Sequence, residues 1–388
     1  MSHSIEKLHG IHWDAIVIGS GVGGATAAYS LAQKGKKVLV LERGPRVESA
    51  PADTRLGLWQ QRIFDTAKKR SFLPFLGEGV GGSSRFFGMV MERPHISDFS
   101  NRGGAWPESL ESWIPYFSPV EMLFQCQPAP IPEEFSGLVQ HLSGQMVNVR
   151  RLHLSRTNLK SCEFCQGRYC GKRCKVDAWT GPLKKALEFP TCSLVNDVLV
   201  LRVLIQGERA TAVEVEAGQL FGRPRFVIQA NQVFVAGGAL RTPFILKNSG
   251  VGTRGTALGR YLMRHLIDLY SLRLKEFSSF DSAKQESLKA NKCLGWSDFY
   301  LRDNKKLGVV QSFGSFPHPS IVLEELYDEI PFLKKIPGFS VLFPKITDRL
   351  FSTPLLASIV EDEARSENFI DLNSDQADPP DREIRITY

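Results

Sequence analysis

An apolar run that breaks at closely spaced glycines and resumes as a helix permits few folds, and residues 14–44 form such a run. Asp14, Ala15, Ile16, Val17 and Ile18 read as a buried strand, and Gly19, Ser20, Gly21, Val22, Gly23 and Gly24 follow as a turn. Residues 25–34 continue as a small-residue helix without a breaker. Val38, Leu39, Val40 and Leu41 then form a second buried strand that runs into Glu42, Arg43 and Gly44. Gly19 allows the tight turn, and Gly21 lets the backbone approach a pyrophosphate. Gly24 lets the helix close on the strand, so that its amide-lined N-terminus faces phosphate charge. Glu42 lies 18 residues past Gly24, where an acid can accept hydrogen bonds from a ribose diol. Spaced glycines alone would equally mark a plain strand-to-helix turn. The preceding strand, the unbroken helix and the closing acid favour a dinucleotide site.

A chain of 388 residues has room for two domains, or for one domain with a large insertion. Its net charge of +7 is mixed along the sequence. No basic stripe or nucleic-acid module appears, so no nucleic-acid partner is expected, whereas attraction to an anionic membrane surface stays open. No apolar core followed by a cleavage site occurs near Met1, and no uncharged run reaches membrane-spanning length. The expectation is a soluble, cytoplasmic protein. The seven cysteines are Cys126, Cys162, Cys165, Cys170, Cys174, Cys192 and Cys293. Their odd number argues against a disulfide framework.

Further along, Gly77 to Met89 is a second glycine-rich run, whose unshielded amides suit a wrap around a ligand. A flexible surface loop is the competing reading. The flank Phe86-Phe87-Gly88-Met89-Val90-Met91 argues for burial. Residues 106–132, rich in Trp, Pro and Phe, suggest helices and irregular segments, and residues 183–187 a helix. Residues 193–205 and 210–217 predict an antiparallel hairpin, and residues 225–236 a strand. That strand runs into Gly237, Gly238 and Ala239 before a helix over 242–249, repeating the grammar of the N-terminus. Residues 269–388 alternate short apolar strands with polar turns.

These pieces, in this order, resemble the glucose–methanol–choline (GMC) oxidoreductases, flavoenzymes that oxidise alcohols with FAD. The resemblance rests on Gly19 to Gly44, on Gly81-Gly82-Ser83-Ser84, and on the strand around Val200. It continues through Val233 to Pro243, Ser249-Gly250-Val251-Gly252, Leu258 to His265, and Asn368 to Asn373. It implies an α/β fold: a Rossmann-like FAD-binding domain of glutathione-reductase type with an α+β substrate domain on an antiparallel sheet. The expected division is 1–100 and 191–268 for the FAD domain, 101–190 for a cap or insertion with the cysteine cluster, and 269–388 for an incomplete substrate domain.

Carried over residue by residue, the resemblance implies that Ser20 and Gly21 supply amides to the pyrophosphate. Glu42 would hold the adenosine ribose, and Arg43 would lie beside the adenine. Gly81, Gly82, Ser83, Ser84 and Gly88 would line pyrophosphate and flavin, and Val200 would meet the adenine edge. Ala236 and Gly237 would pack near the second turn. Phe87 stands where the family often has Asn before Gly88, which removes a side-chain hydrogen bond there. The implied reaction is oxidation of a small-molecule alcohol by hydride transfer to the flavin, of dehydrogenase type, with oxygen, a quinone or a carrier as acceptor. Amine oxidases and reductases fit the ordered motif set less well. A non-catalytic flavin-binding subunit is the rival of a different class.

Cys162, Cys165, Cys170 and Cys174 are four thiols within reach of one centre, beside Arg168, Lys172, Arg173 and Lys175. Those cations favour thiolates. Some family members carry a cysteine-rich insertion, and in certain dehydrogenases an iron–sulfur cluster relays electrons. An iron–sulfur cluster, a structural zinc, and plain reduced cysteines or a labile disulfide all remain open here. The family takes its proton-accepting histidine from a late segment, and no histidine follows His318. His95 reads as a satisfied loop histidine and His265 as structural, near the cofactor's floor. The catalytic residue is therefore unassigned. The chain reads as a piece lacking that segment, which a partner chain could supply, or as a degenerate flavin binder.

Overall fold

The computed structural model describes residues 5–8, 10–48, 58, 61–99, 108–157, 165, 167–217, 224–252, 257–271, 292–303, 305–314, 319–350, 354–372 and 384–388. The chain divides into two compact units. The first comprises residues 1–85, 177–263 and 364–388, and the second 86–176 and 264–363.

The first unit is built on a six-stranded sheet. Its order is Cys192–Val195, Val38–Leu41, Trp13–Ile18, Arg225–Val235, Arg209–Ala217 and Val198–Gln206. The first four strands run parallel, and the last two join antiparallel. Continuous apolar runs fit the parallel part because both of its faces are covered. Ile16, Ile18, Leu39 and Leu41 pack on one face with Val213, Val215 and Ile228. Val17, Val38 and Val40 pack on the other with Ala25, Ala28 and Leu183. The helix Val22–Gln33 crosses from Trp13–Ile18 to Val38–Leu41. Its buried side is Gly24, Ala25, Ala28 and Ala32, small residues that let it lie close to the sheet.

The single strand expected over 193–205 is two. Asp197 has a left-handed φ of 58°, which turns the chain out of the parallel ladder after Val195 and into the hairpin at Val198. Asn and Asp tolerate that conformation better than other non-glycine residues. The helix expected over 242–249 begins earlier, as Gly238–Asn248. The segment 183–187 is the end of a π-type turn, Trp179–Leu183, followed by the short helix Lys184–Ala186.

A four-stranded sheet completes this unit in the order Phe369–Ile370, Ile384–Thr387, Ile63–Asp65, Arg70–Phe72. Ile384–Thr387 pairs parallel with Ile63–Asp65. Residues 364–388 thus lie in the unit that carries the glycine turn, not in the antiparallel region expected for 269–388, and so do residues 177–190. Their apolar residues, Ile370, Ile384 and Ile386, form a core with Ile63 and Phe244.

The second unit holds a five-stranded antiparallel sheet in the order Leu266–Ser271, Leu355–Val360, Gly308–Ser312, Leu294–Trp296, Arg150–Arg151. Its core gathers Met89, Phe135, Leu152, Leu154, Leu294 and Trp296. Helices Leu110–Leu123, Ser136–Gly144, Pro319–Glu329 and Phe339–Leu350 belong to the same unit. Among the described residues no helix is long and apolar enough to cross a membrane.

Candidate cofactor site

A cavity of about 540 Å³ opens in the first unit where the glycine turn, the second glycine run and the second strand–helix turn converge. Gly19, Ser20, Gly21, Glu42, Arg43, Gly82, Ser83, Ser84, Val200, Ala236 and Gly237 line it together. Those eleven residues stand far apart in sequence and were each expected at a cofactor.

The glycines divide by what a side chain would meet. At Gly19, with φ +95°, a Cβ would sit 2.4 Å from the Ala236 carbonyl oxygen. At Gly24 it would sit 2.0 Å from the Gly19 carbonyl oxygen. Both glycines are therefore demanded by packing of the protein on itself. At Gly21 a Cβ would meet no protein atom within 4 Å, so that side of the turn is free for a ligand. The first-turn amides at residues 22–24 follow directly, and no residue within the helix can accept from them. They give this wall of the cavity a positive end.

Glu42 fixes the glycine turn from beneath it in the bonding network. Its Oε2 accepts from the Ser20 backbone N–H at 2.9 Å and from the Ser20 hydroxyl at 2.6 Å, while Oε1 accepts from the Gly44 N–H at 3.0 Å. The Ser20 oxygen in turn accepts from the Gly81 N–H at 3.0 Å. One buried carboxylate and one hydroxyl thus tie the two glycine runs together. Burial pushes the Glu42 carboxyl above its ordinary range, against the pull of the Gly44 and Ser20 hydrogen bonds. The second run is pinned separately. The Ser84 hydroxyl donates to the Gly81 carbonyl at 2.6 Å and accepts from the Ala178 N–H at 2.9 Å. Arg85 lies 3.5 Å from the buried Asp177 carboxylate.

Three of the expected residues stand elsewhere. Gly24 lies behind the cavity at the helix–strand contact, and Gly81 beside it, where a Cβ would press on Arg85 and Trp179. Gly88 belongs to the second unit. The Ser20 amide, expected at a pyrophosphate, donates to Glu42 instead. Arg43 is paired with Glu78 at 3.0 Å. Gly77 and Glu78, from the second glycine run, also line the cavity, and so do Arg241 and Thr242, which had been given no role. The basic Arg241 sits inside the motif Gly237 to Pro243, and its place on the second helix was the signal available for it. Its guanidinium donates to the Gln61 side chain.

The histidines considered as bases have structural surroundings. His95 caps the short 3₁₀ helix Ile96–Asp98, its Nδ1 lying 3.2 Å from the Ser97 backbone N–H and 2.9 Å from the Ser97 hydroxyl. His265 is exposed and precedes the edge strand Leu266–Ser271 of the second unit.

Of the four clustered cysteines, Cys162 lies outside the described residues. The Cys170 sulfur is 3.5 Å from that of Cys174 and accepts from the backbone N–H groups of Cys174 and Lys175 at 3.3 and 3.5 Å. Hydrogen bonds from the Cys165 and Cys174 thiols and those two amides hold Cys170 far below the usual thiol range. The shared proton, then burial, pushes Cys165 up. Among the described residues no group of three or more His, Cys, Asp or Glu side chains is arranged to hold a metal ion.

The chain is similar to known proteins in sequence and in fold. The family model for GMC oxidoreductase matches residues 13–267. The oxygen-dependent choline dehydrogenase of Brucella melitensis biotype 1 is 28% identical over 291 residues, which cover 67% of this chain and 51% of that protein. That of Staphylococcus aureus strain JH9 is 25% identical over 280 residues, 62% of this chain and 47% of that protein. The chain thus spans about half the length of the curated relatives it matches. Among solved structures, a formate oxidase of Aspergillus oryzae RIB40 superposes with a TM-score of 0.60 at 15% identity, covering 97% of this chain and 77% of that one. Pyridoxine 4-oxidase from Mesorbium loti gives 0.58 at 16% identity, over 97% and 75%. At such identities these two structures speak for the fold.

Proposed function

The chain belongs to the GMC oxidoreductase family, and from that premise we propose that its first unit binds FAD and serves the oxidation of CH–OH groups of a small alcohol. The observation that carries this reading is the shared cavity, in which an open-faced glycine, a helix N-terminus and a buried acid surround one volume. The residues fit the group. The amides of Val22 and Gly23, which line the cavity, would hold the pyrophosphate, and Gly21 would let it approach. A carboxylate offers about four acceptor positions. The Ser20 and Gly44 hydrogen bonds occupy three of those of Glu42, which leaves one for a ribose hydroxyl. Val200 and its neighbours Val198 and Leu199 would face the adenine, and Gly82 to Ser84 with Ala236 and Gly237 would close the walls.

Bound there, FAD supplies the two-electron acceptor for a hydride leaving the alcohol carbon. The protein's part is to bind, to orient and to exclude water. We assign neither His95 nor His265 the role of proton acceptor, because the first is a helix cap and the second is exposed at a sheet edge. Anaerobic mixing of the FAD-loaded chain with a panel of primary and secondary alcohols tests the reading. Bleaching of the flavin band by one of them supports an alcohol oxidoreductase. A flavin that stays oxidised with every alcohol points to the non-catalytic flavin-binding subunit.

A metal held by Cys162, Cys165, Cys170 and Cys174 is part of the same proposal. Its support is the N–H···S hydrogen bonding at Cys170, which stabilises a thiolate ready to ligate. Iron, zinc and acid-labile sulfide analysis of anaerobically purified protein separates an iron–sulfur cluster from zinc and from free thiols.

A further inference from the structure

Among the described residues, the ionisable side chains that line the cofactor cavity are Glu42, Arg43, Glu78 and Arg241. Two of them answer each other, the Arg43 guanidinium lying 3.0 Å from the Glu78 carboxylate. Glu42 is engaged by Ser20 and Gly44. Arg241 differs from these. It is buried on the helix Gly238–Asn248, and its guanidinium donates to the side-chain oxygen of Gln61. That amide is neutral, so it orients the guanidinium without cancelling its charge. Arginine keeps its proton at any ordinary pH, and this wall of the cavity therefore carries a full positive charge.

The backbone puts that charge beside the first glycine turn. A Cβ on Gly237 would stand 3.5 Å from the Arg241 Cβ, and one on Gly19 would stand 3.3 Å from the Gly237 nitrogen. Gly237 is thus wedged between the start of the turn and the root of the Arg241 side chain. At the far end of the same turn, Val22 and Gly23 line the cavity at a helix N-terminus. FAD has one strongly anionic part, its pyrophosphate, and a planar guanidinium matches phosphate oxygens with paired hydrogen bonds. The adenine is uncharged and is suited by the apolar Val198, Leu199 and Val200. The competing part for Arg241 is mechanical: through Gln61 it would brace its helix against the strand Ile63–Asp65 just beyond.

Resting on the assignment of FAD to this cavity, we infer that Arg241 is a side-chain anchor for the pyrophosphate, acting beside the Val22 and Gly23 amides. Calorimetric titration of the 388-residue apoprotein with FAD and with ADP tests it. Arg241→Gln should weaken both ligands roughly ten- to a hundredfold. Arg241→Lys keeps the charge but loses the fork, and should cost less. Gln61→Glu leaves the arginine and its hydrogen bond in place while cancelling the charge. Both ligands should then bind about fivefold more weakly or worse, with the apoprotein melting temperature held or raised. A mere brace would be untouched by that change. Parental affinities in Arg241→Gln overturn the inference. So do parental affinities in Gln61→Glu with a loss confined to the arginine variants, which makes Arg241 a strut. Should Arg241→Gln fail to fold, Gln61→Glu decides alone. A parent chain that binds neither FAD nor ADP refutes the cofactor assignment itself, whereas a parent that binds both beside an unaffected Gln61→Glu refutes only the anchor.

Discussion

Replacing Gly21 by valine, beside Gly24 by alanine, separates the demands of the fold from those of the cofactor. At Gly24 the new Cβ would start 2.0 Å from the Gly19 carbonyl oxygen and 3.2 Å from a Val17 methyl. Ordinary contact begins near 3.4 Å, so the helix Val22–Gln33 must retreat by more than an ångström from the strand it covers. Overpacking of that kind costs about 1–3 kcal/mol. At Gly21 the backbone is at φ −64° and no protein atom lies within 4 Å of the new Cβ. The folded chain should then change in stability by no more than about 0.5 kcal/mol. Its ligand would suffer. Displacing the pyrophosphate from the helix end forfeits about 1 kcal/mol, and crowding adds about 1–3 kcal/mol. The sum of about 2–4 kcal/mol weakens FAD binding roughly 30- to 700-fold. Thermal melting of the apoproteins and calorimetric titration with FAD read the two effects separately. Parental FAD affinity in Gly21→Val, or a parental melting temperature in Gly24→Ala, would refute this division of labour.

Ser20→Ala removes the hydroxyl that links Glu42 to Gly81; a loss of about 1–3 kcal/mol is expected in chemical denaturation, and an unchanged midpoint would show that the link carries no stability. Lys292 is buried in the second unit with its ammonium 5.4 Å from the Phe313 ring centroid, and desolvation, then the Lys175 charge, lowers its pKa to about 7. Below that value both folded and unfolded chains carry the proton and the folded state bears the full penalty. Between about pH 7 and 10.5 only the unfolded chain does, so stability should climb with pH by about 1.4 kcal/mol per unit. Lys292→Met should be flatter across that window and gain most on the parent at pH 7 and below; parallel melting curves would contradict the assignment. His95→Asn keeps a capping side chain before Ile96–Asp98, so flavin reduction by an alcohol that works on the parent should proceed at the same rate. Collapse of that rate would make His95 a participant in the chemistry.

Much of the cofactor wall was legible because its residues announce themselves locally. Gly19, Gly21 and Gly24 stand between an apolar run and a helix, and the strand ending at Val235 repeats the arrangement. Val200 and the loop at Gly82 to Ser84 came from the order of motifs. What the sequence could not display was competition for the same groups. The Ser20 amide is spent on Glu42 because that buried carboxylate must find donors inside the protein. The turn at Asp197 was missed because apolar residues continue on both sides of it, and only the backbone shows its left-handed φ. The placing of residues 364–388 was hidden for another reason. A strand of four residues, Ile384–Thr387, pairs with Ile63–Asp65 more than three hundred positions away, and no local pattern encodes so distant a partner.

The most direct test of the cofactor assignment is a crystal structure of the chain grown with excess FAD. The account predicts pyrophosphate density against the backbone amides of Val22 and Gly23 and a ribose hydroxyl on Glu42. An empty cavity beside Gly21, or FAD bound elsewhere on the chain, would contradict it.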